Sequence, residues 1–272
     1  MPSRLLHPRR SLRSWLAVAL AIAAVVLTGA CRDRGPERAR GPRVTLTVSA
    51  AASLREVVTE LDSVYRAEHP EIAVRANFGA SGALRQQLEQ GAPADVFISA
   101  SDRHMDALQR SGAIDPRTRR VLAGNELVLV VPASSPSPAT DFRSLAGPGV
   151  KRVAIGAAAS VPAGEYADEV LRALGIADAV RRKAVYAQNV RQVLAYVESG
   201  NVDAGIVYRT DAAVSPKVRV AAAAPAGSHR PITYPLAVVK STAHRADATA
   251  YAAFLLGPRG REVLARHGFT TP

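Results

Sequence analysis

The sequence contains very little cysteine: Cys31 is the only one among its 272 residues. An internal disulfide is therefore impossible, and so is a zinc site built from several cysteines. The folded core has to be stabilised by packing alone. Lysine is also scarce, with Lys151, Lys183, Lys217 and Lys240 as its only examples, so arginine supplies almost all of the positive charge.

Motifs for catalysis are missing as well. The sequence has no H-E-x-x-H pair, no phosphate-binding loop of the Walker type and no G-x-S-x-G turn. Its six histidines are scattered along the chain. Nothing in these patterns favours an enzyme. A secreted hydrolase whose nucleophile and base are brought together only by folding stays open as an alternative.

The net charge of +12 would suggest nucleic-acid binding if it lay on a folded surface. Nine arginines fall within residues 1–43, against only Asp33 and Glu37. More than half of the excess charge thus belongs to the N-terminal region, and no nucleic-acid partner is predicted. The overall composition, with 48% hydrophobic and 21% charged residues, is that of a globular protein.

The first thirty residues have the pattern of an export signal. Four arginines precede an apolar run from Trp15 to Leu27, which is followed by the small residues Gly29 and Ala30. The run is too short to span a bilayer comfortably, because that needs about 20 apolar residues. We predict a signal peptide over residues 1–30 and a location outside the cytoplasm, in the periplasm or its equivalent.

The only cysteine directly follows those small residues. Its position resembles that of the acylated cysteine in a bacterial lipoprotein lipobox, so we predict lipidation at Cys31 and attachment to a membrane. A plain signal peptide that is cut nearby is the alternative. Residues 31–43 are charged and rich in Gly, Pro and Arg, which predicts a flexible tether.

Beyond residue 43, strand patterns alternate with helix patterns in two series. The first series predicts strands at Val44–Ser49, Ile72–Phe78 and Asp95–Ser99, with helices after each of them, at about 54–69, Gly82–Gln90 and Asp102–Arg110. The second predicts strands at Leu127–Pro132, Arg152–Gly156, Ala204–Tyr208, Val218–Ala223 and Leu236–Lys240, and helices at Gly164–Leu174, Asn189–Ser199, Ala246–Leu256 and Gly260–His267. Strand–turn–helix units predict an α/β fold of two lobes, each a mostly parallel sheet flanked by helices.

Small and hydroxyl residues occupy four strand-to-helix junctions. They are Ala50–Leu54, Gly79–Ala83, Val161–Gly164 and Gln188–Arg191. We expect Ser53 to lie at a helix N-cap, and Gly79 and Gly82 to let the backbone approach a ligand. In a parallel sheet these junctions share one edge, where helix N-termini offer N–H donors to an anion without any counter-charge.

Segments spread over the whole chain after the tether resemble those of the periplasmic molybdate-binding proteins of ABC transporters. In order, they are VSAAASL (48–54), GAPADVFISA (91–100), VPAGEYA (161–167), NVR (189–191), GIVY (205–208), YPLAVV (234–239) and an ending from GP (257–258) to GF (268–269). So many segments in the same order make the resemblance specific.

This resemblance implies a periplasmic-binding-protein fold of the second type, with a ligand cleft between the lobes. It also implies that molybdate or tungstate is held by neutral donors alone. Carried over by motif, the donors are the hydroxyls of Ser53, Ser81 and Tyr208 and the backbone N–H groups of Ala163 and Val190. Further implications are a monomer that delivers its ligand to an ABC permease, without a cofactor or a directly bound metal.

We predict that residues 44–123 and 234–272 form the first lobe and residues 124–233 the second. Hinges are expected near Leu122–Asn125 and Ile232–Pro235, where the chain crosses between lobes. Two further alternatives stay open at this point. The chain could bind another tetrahedral oxyanion such as sulfate, or it could be an anion-sensing ectodomain.

Overall fold

The computed structural model describes residues 43–134 and 136–272. Its ten strands are β1 (Val44–Ala51), β2 (Ile72–Gly79), β3 (Val96–Ile98), β4 (Arg120–Asn125), β5 (Leu127–Pro132), β6 (Val153–Gly156), β7 (Ala184–Ala187), β8 (Ala204–Tyr208), β9 (Val218–Ala223) and β10 (Ile232–Val238). The α-helices are α1 (Arg55–Glu68), α2 (Ser81–Glu89), α3 (Asp102–Arg110), α4 (Pro162–Ala173), α5 (Ala177–Arg181), α6 (Val190–Glu198), α7 (Arg209–Ala213), α8 (Arg245–Leu256) and α9 (Pro258–Arg266).

The strands form two five-stranded sheets, in the orders β2-β1-β3-β10-β4 and β7-β6-β8-β5-β9. We call each sheet with its helices a lobe. In the first lobe only β10 runs against the other strands, and in the second only β5 does. Both reversed strands are those that the chain enters directly from the other sheet, whereas the remaining strands are reached within their own lobe. The sheets are therefore mixed, and four strands of each are parallel.

Burial follows the hydrophobic pattern of the elements. Strand β5, which lies between β8 and β9, is a run of apolar residues, and Leu127–Val131 are all fully buried. Helix α1 buries the face that carries Val57, Val58, Leu61 and Tyr65 and leaves its charged face outside. Such a stripe at helical spacing packs a helix on a sheet, and burial of its side chains contributes most of the stabilisation.

The α/β, two-lobed architecture predicted from the sequence is confirmed. Every predicted strand and helix has a counterpart, and Asp102–Arg110, Leu127–Pro132, Ala204–Tyr208 and Val218–Ala223 have the predicted bounds. The prediction missed β4, the four-residue strand β7 and the five-residue helices α5 and α7. It also began β10 four residues late; the structure accommodates Pro235 in this strand at a register shift beside Tyr234.

The predicted lobe boundaries at 123/124 and 233/234 fall inside β4 and β10, two strands of the first sheet. The division at those residues, like the two hinges, stays a prediction. The predicted signal peptide, most of the predicted tether and Cys31, the predicted lipidation site, lie outside the described residues. No helix in the described part of the chain is long and apolar enough to cross a membrane.

One buried carboxyl in the first lobe makes stability depend on pH. The Tyr251 hydroxyl of α8 donates a hydrogen bond to Asp62 of α1, and both side chains are buried. Burial raises the pKa of Asp62 from 3.8 to about 6, although the Tyr251 hydroxyl and the charge of Arg66 act in the opposite direction. A raised pKa means that the contribution to stability is present below pH 4 and is lost as the pH rises through 6.

We therefore expect Asp62→Asn to be more stable than the wild type at neutral pH, by about 2–3 kcal/mol, because it keeps an acceptor for Tyr251 without burying a charge. The advantage should shrink as the pH falls towards 4. Urea unfolding of both proteins across this pH range measures the difference. A difference that does not change with pH would show that Asp62 is not the titrating group.

Candidate functional site

A small cavity lies between the lobes at the carboxyl ends of the parallel strands. The space that it encloses is about 10 Å³, close to the ~10–15 Å³ needed to hold one water molecule. All five residues predicted as oxyanion donors line it. The lining consists of Ala51, Ala52, Ser53, Gly79, Ala80, Ser81, Ala100, Val161, Pro162, Ala163, Asn189, Val190 and Tyr208.

Ser53 is buried in a 3₁₀ turn, Ala52–Leu54, that connects β1 to α1. The expectation that it acts as an N-cap was wrong, since Leu54 holds that position and no side chain caps α1. The Ser53 hydroxyl instead lies 3.0 Å from the hydroxyl of Tyr234 on β10. Because the Ser53 hydroxyl does not accept a hydrogen bond from the first N–H groups of α1, it is available for contacts in the cavity.

Ser81 is the first residue of α2 and is fully buried. Its Oγ accepts a hydrogen bond of 2.9 Å from the backbone N–H of Ala100, which follows β3. A backbone N–H can only donate, so the Ser81 oxygen is already in use as an acceptor. Its own hydrogen remains for the cavity.

The hydroxyl of Tyr208 has no hydrogen-bond partner among the described residues, although the side chain is only 1% exposed. Its ring meets those of Tyr166 and Tyr234 edge-on, at centroid distances of 6.5 and 5.9 Å. Burial, followed by the neighbouring Tyr234, raises its pKa well above the ordinary value, so the group is a neutral phenol at physiological pH. An unpaired buried hydroxyl costs about 1–3 kcal/mol, which a bound acceptor would offset.

The backbone N–H groups of Ala163 and Val190 come from the first turns of α4 and α6. An α-helix provides no partner of its own for the N–H groups of its first turn. Pro162 occupies the first position of α4, and Asn189 caps α6 by accepting from Gln192 N–H. Both helix N-termini reach the cavity lining, so their dipoles favour negative charge there.

Within the described residues, the lining of the cavity includes no charged side chain. The guanidinium of Arg191, which follows the lining residue Val190 on α6, has other partners. Its Nε lies 2.7 Å from the buried carboxylate of Asp211, and its Nη2 pairs with Glu56 of α1. Burial raises the pKa of Asp211 to about 6 despite the charge of Arg191. Arg191 therefore neutralises carboxylates and joins the two lobes instead of facing the cavity.

A second ionic contact joins the lobes on another side. Glu165 of α4 is buried, and its carboxylate accepts from Ser101 Oγ at 3.1 Å and lies 2.9 Å from His104 Nε2 of α3. Arg230 also contacts it, at 2.8 Å. Burial opposes the charged form, but the hydrogen bond and charge of His104, with the charge of Arg103, outweigh it and lower the pKa of Glu165. The carboxylate therefore stays ionised between the lobes.

Gly82 has a different role from the one expected. It does not line the cavity; its N–H donates a hydrogen bond of 2.9 Å to the Ser160 carbonyl of the opposite lobe. A Cβ at this position would lie 2.6 Å from Cα of Ser160 and 2.7 Å from its carbonyl oxygen. The close approach of α2 to the loop before α4 therefore requires a glycine. Gly79, by contrast, does line the cavity.

Sequence reasoning did not identify Ala100, Asn125 or Tyr234 as parts of the site. Ala100 orients Ser81, Tyr234 contacts Ser53, and Asn125 Nδ2 donates to the Tyr234 hydroxyl at 3.2 Å. Ala100 and Tyr234 lie in segments that carry the resemblance, but neither has a helix-start position or a spacing that marks it. Only the tertiary contacts reveal their role.

The arrangement can hold a small anion by hydrogen bonds from neutral groups. The two backbone N–H groups can only donate, the serine hydroxyls have hydrogens to donate, and the Tyr208 phenol is unpartnered. In residues 43–134 and 136–272, no cluster of His, Cys, Asp and Glu side chains is placed to bind a metal ion directly.

Residues 46–270 match the family model of the bacterial extracellular solute-binding proteins. The chain belongs to this family. A solute-binding protein of this kind acts outside the cytoplasm and is not a member of an enzyme class.

Relatives of this solute-binding protein share most of its length. YvgL of Bacillus subtilis, named provisionally as an ABC transporter substrate-binding lipoprotein, is 43% identical over 92% of the chain and 95% of its own length. The molybdate-binding protein ModA of Escherichia coli is 38% identical, over 95% of the chain and 98% of its own. The structure of the periplasmic molybdate-binding protein of Azotobacter vinelandii matches with a TM-score of 0.73 at 27% identity, over 84% and 99% of the two chains.

Gly82→Ala tests whether the solute-binding protein needs the contact at Ser160 to close on a ligand. The added methyl group overpacks the interface between the lobes, which typically costs ~1–3 kcal/mol. We expect its affinity for a small anion to fall by roughly tenfold or more in calorimetric titration. The added Cβ would also lie 2.9 Å from Cε1 of His104 in its own lobe, so unfolding without ligand is the control that measures the loss unrelated to Ser160. Unchanged anion affinity would contradict the role of Gly82 in closure.

Proposed function

We propose that this solute-binding protein captures molybdate, and also tungstate, outside the cytoplasm and delivers it to the permease of an ABC importer. The protein acts as a monomer without a cofactor and catalyses no reaction. The metal enters as an oxyanion, and the protein donates hydrogen bonds to its oxygens. Ser53, Ser81 and Tyr208 donate through their hydroxyls, and Ala163 and Val190 through their backbone N–H groups.

The observation that carries this proposal is the unpartnered hydroxyl of Tyr208. It is buried beside two helix N-termini and two serine hydroxyls, in a cavity that the described part of the chain lines without any charged side chain. Buried polar groups are nearly always hydrogen-bonded, so an unpaired phenol points to a missing acceptor. A small anion with several oxygens satisfies all of these donors at once.

The donors also favour an anion without a proton. A protonated anion, such as hydrogen phosphate, brings an O–H that needs an acceptor. The backbone N–H groups can only donate, and one lone pair of Ser81 Oγ is already taken by Ala100. Only hydroxyl oxygens are left to accept, and a hydroxyl that turns to accept this proton no longer donates to the anion. An O–H left unpaired in a buried site costs about 1–3 kcal/mol. Molybdate, tungstate and sulfate are all fully ionised and tetrahedral, so hydrogen bonding alone does not separate them.

The relatives support molybdate within this class. The Escherichia coli and Azotobacter vinelandii proteins are both named for molybdate binding, and they match the chain over most of its length. Tungstate is included because its size and shape are close to those of molybdate. A sulfate binder is the principal competitor, because sulfate is also a fully ionised tetrahedral dianion. The bonds to oxygen are longer in molybdate than in sulfate, so a cavity that molybdate fills would hold sulfate loosely.

Capture by closure of the lobes follows from the division of the donors. Ser53 and Ser81 belong to the first lobe, whereas Ala163, Val190 and Tyr208 belong to the second. An anion that bridges them favours the state in which the lobes are in contact, as in hinge closure of periplasmic binding proteins. We infer that the permease recognises this closed state.

Calorimetric titration of residues 44–272 with molybdate, tungstate, sulfate and phosphate tests the proposal. We expect one molybdate or tungstate to bind tightly and the other two anions to bind weakly or not at all. Tyr208→Phe should weaken molybdate binding by about 10–100-fold, because a hydrogen bond to a charged group contributes about 1.5–3 kcal/mol. Tyr196→Phe, at a half-buried tyrosine outside the cavity, is the matched control.

Each contrary result has a distinct meaning. Preference for sulfate would keep the oxyanion site but reject molybdate as its ligand. Failure of all four anions to bind would reject capture altogether. If Tyr208→Phe binds molybdate as well as Tyr196→Phe does, the unpartnered hydroxyl is not a donor to the ligand.

We also propose that the protein is exported by its N-terminal signal and is attached to a membrane through a lipid on Cys31. The relative YvgL is named a lipoprotein. In a bacterial host, Cys31→Ser in the full chain should move the protein from the membrane fraction to the soluble extracytoplasmic fraction and abolish labelling with a fatty acid. Retention of the variant in the membrane fraction would refute the anchor.

A further inference from the structure

A chain of three hydrogen-bonding side chains runs from the crossing between the lobes to the cavity. Asn125 ends β4, Tyr234 lies in the neighbouring strand β10, and Ser53 lines the cavity. Asn125 Nδ2 lies 3.2 Å from Tyr234 Oη, which in turn lies 3.0 Å from Ser53 Oγ. The direction of each hydrogen bond decides what Ser53 presents to a ligand.

The orientation of the Asn125 amide is set by its neighbours. Its Oδ1 accepts from the backbone N–H of Glu126 at 2.9 Å, and that group can only donate. The Nδ2 group therefore faces the other way and donates to Tyr234 Oη and to Thr210 Oγ1, the latter at 2.9 Å. The amide cannot flip without placing two donors against each other.

The hydroxyl of Tyr234 then has one direction left for its hydrogen. The side chain is fully buried, and its oxygen already receives a hydrogen bond from Asn125. Ser53 Oγ is the acceptor within hydrogen-bond distance. A buried O–H rarely goes unpaired, so Tyr234 donates to Ser53. Ser53 accepts on this side and keeps its own hydrogen for the cavity.

We propose that Asn125 determines specificity: through Tyr234 it fixes Ser53 as a hydrogen-bond donor and so favours fully deprotonated anions over protonated ones. This inference rests on the proposed capture of an oxyanion. Ser81 needs no such device, because its orienting partner is the backbone N–H of Ala100, which no substitution can reverse. Whether Ser53 donates or accepts in the cavity depends, by contrast, on one side-chain amide.

Asn125→Asp reverses the direction of the hydrogen bonds from residue 125 to Ser53, with almost no change in the shape of the side chain. One carboxylate oxygen still accepts from Glu126 N–H, and the other now accepts from the hydroxyls of Thr210 and Tyr234. Tyr234 Oη is then free to accept from Ser53, which presents a lone pair to the cavity in place of a hydrogen. Every group remains paired, so the substitution is compatible with the fold.

The experiment compares selenate with hydrogen arsenate. Both are tetrahedral and carry two negative charges at about pH 8, where the new carboxyl is ionised, but only arsenate keeps a proton. The charge of the new aspartate therefore weakens the binding of both anions alike. The ratio of the two affinities then shows whether the Ser53 hydroxyl donates or accepts a hydrogen bond in the cavity. We expect the wild type to prefer selenate, and Asn125→Asp to reduce that preference by about tenfold or more.

Two controls accompany this variant. Asn201→Asp makes the same chemical change at an exposed position and should leave the ratio as in the wild type. In a Ser53→Ala background, Asn125→Asp should no longer change the ratio, because the residue through which it acts is gone. A change that persists without Ser53 would overturn the proposal.

The outcomes separate this inference from the proposed function. If the wild type prefers selenate and Asn125→Asp has the same preference, the inference fails while oxyanion capture stands. If the wild type binds no tetrahedral anion, both fail. Should Asn125→Asp not fold, neutron diffraction of the deuterated wild type decides: a deuterium on Tyr234 Oη directed at Ser53 supports the proposal, and one on Ser53 Oγ directed at Tyr234 overturns it.

Discussion

A buried hydrogen-bond donor without an acceptor costs free energy. The cavity between the two sheets collects several donors, and the hydroxyl of Tyr208 has no partner among the described residues. The fold delivers them together because the parallel strands of both sheets end at the cavity and the following helices begin there. First-turn N–H groups, serine hydroxyls and the Tyr208 phenol thus meet in one place. In the proposed function, solute recognition and the choice among anions depend on what satisfies these donors.

Charged side chains in the same region serve the contact between the lobes. Arg191 pairs with Glu56 across the cleft and with Asp211 within its own lobe, and Glu165 meets His104 and Arg230. The close approach at Gly82 adds a steric requirement to these ionic contacts. Formal charge therefore stabilises the association of the lobes around the cavity, while uncharged groups line it.

Strand and helix periodicity was sufficient to predict the architecture, because the elements in both lobes carry strong apolar patterns. Short strands such as β7 lack enough residues to show a period, and the bulge at Pro235 has no signature in the local sequence. For the site, helix starts after strands led to Ser53, Ser81, Ala163 and Val190, and the resemblance to a family added Tyr208. That these five share one cavity is a property of the structure, and their role as donors remains a prediction.

What the sequence could not supply is the pairing of each hydroxyl. Ser53 could equally have been an N-cap; the structure places Leu54 at that position and brings Tyr234, on a strand distant in sequence, against the Ser53 hydroxyl. Gly82 likewise is compatible with a ligand contact or a lobe contact until Ser160 is placed against it. Local patterns report on helices and strands, whereas the direction of a hydrogen bond depends on residues more than a hundred positions apart.

The division of uncharged donors between the lobes also bears on how the site empties. Once the lobes part, each half retains only some of the hydrogen bonds, and water can replace the anion at neutral hydroxyl and amide groups with little loss. A cationic side chain in the site would have kept hold of the anion on one half. If the protein works as proposed, only the assembled cleft retains the anion, and a membrane transporter that separates the lobes needs no competing charge to release it.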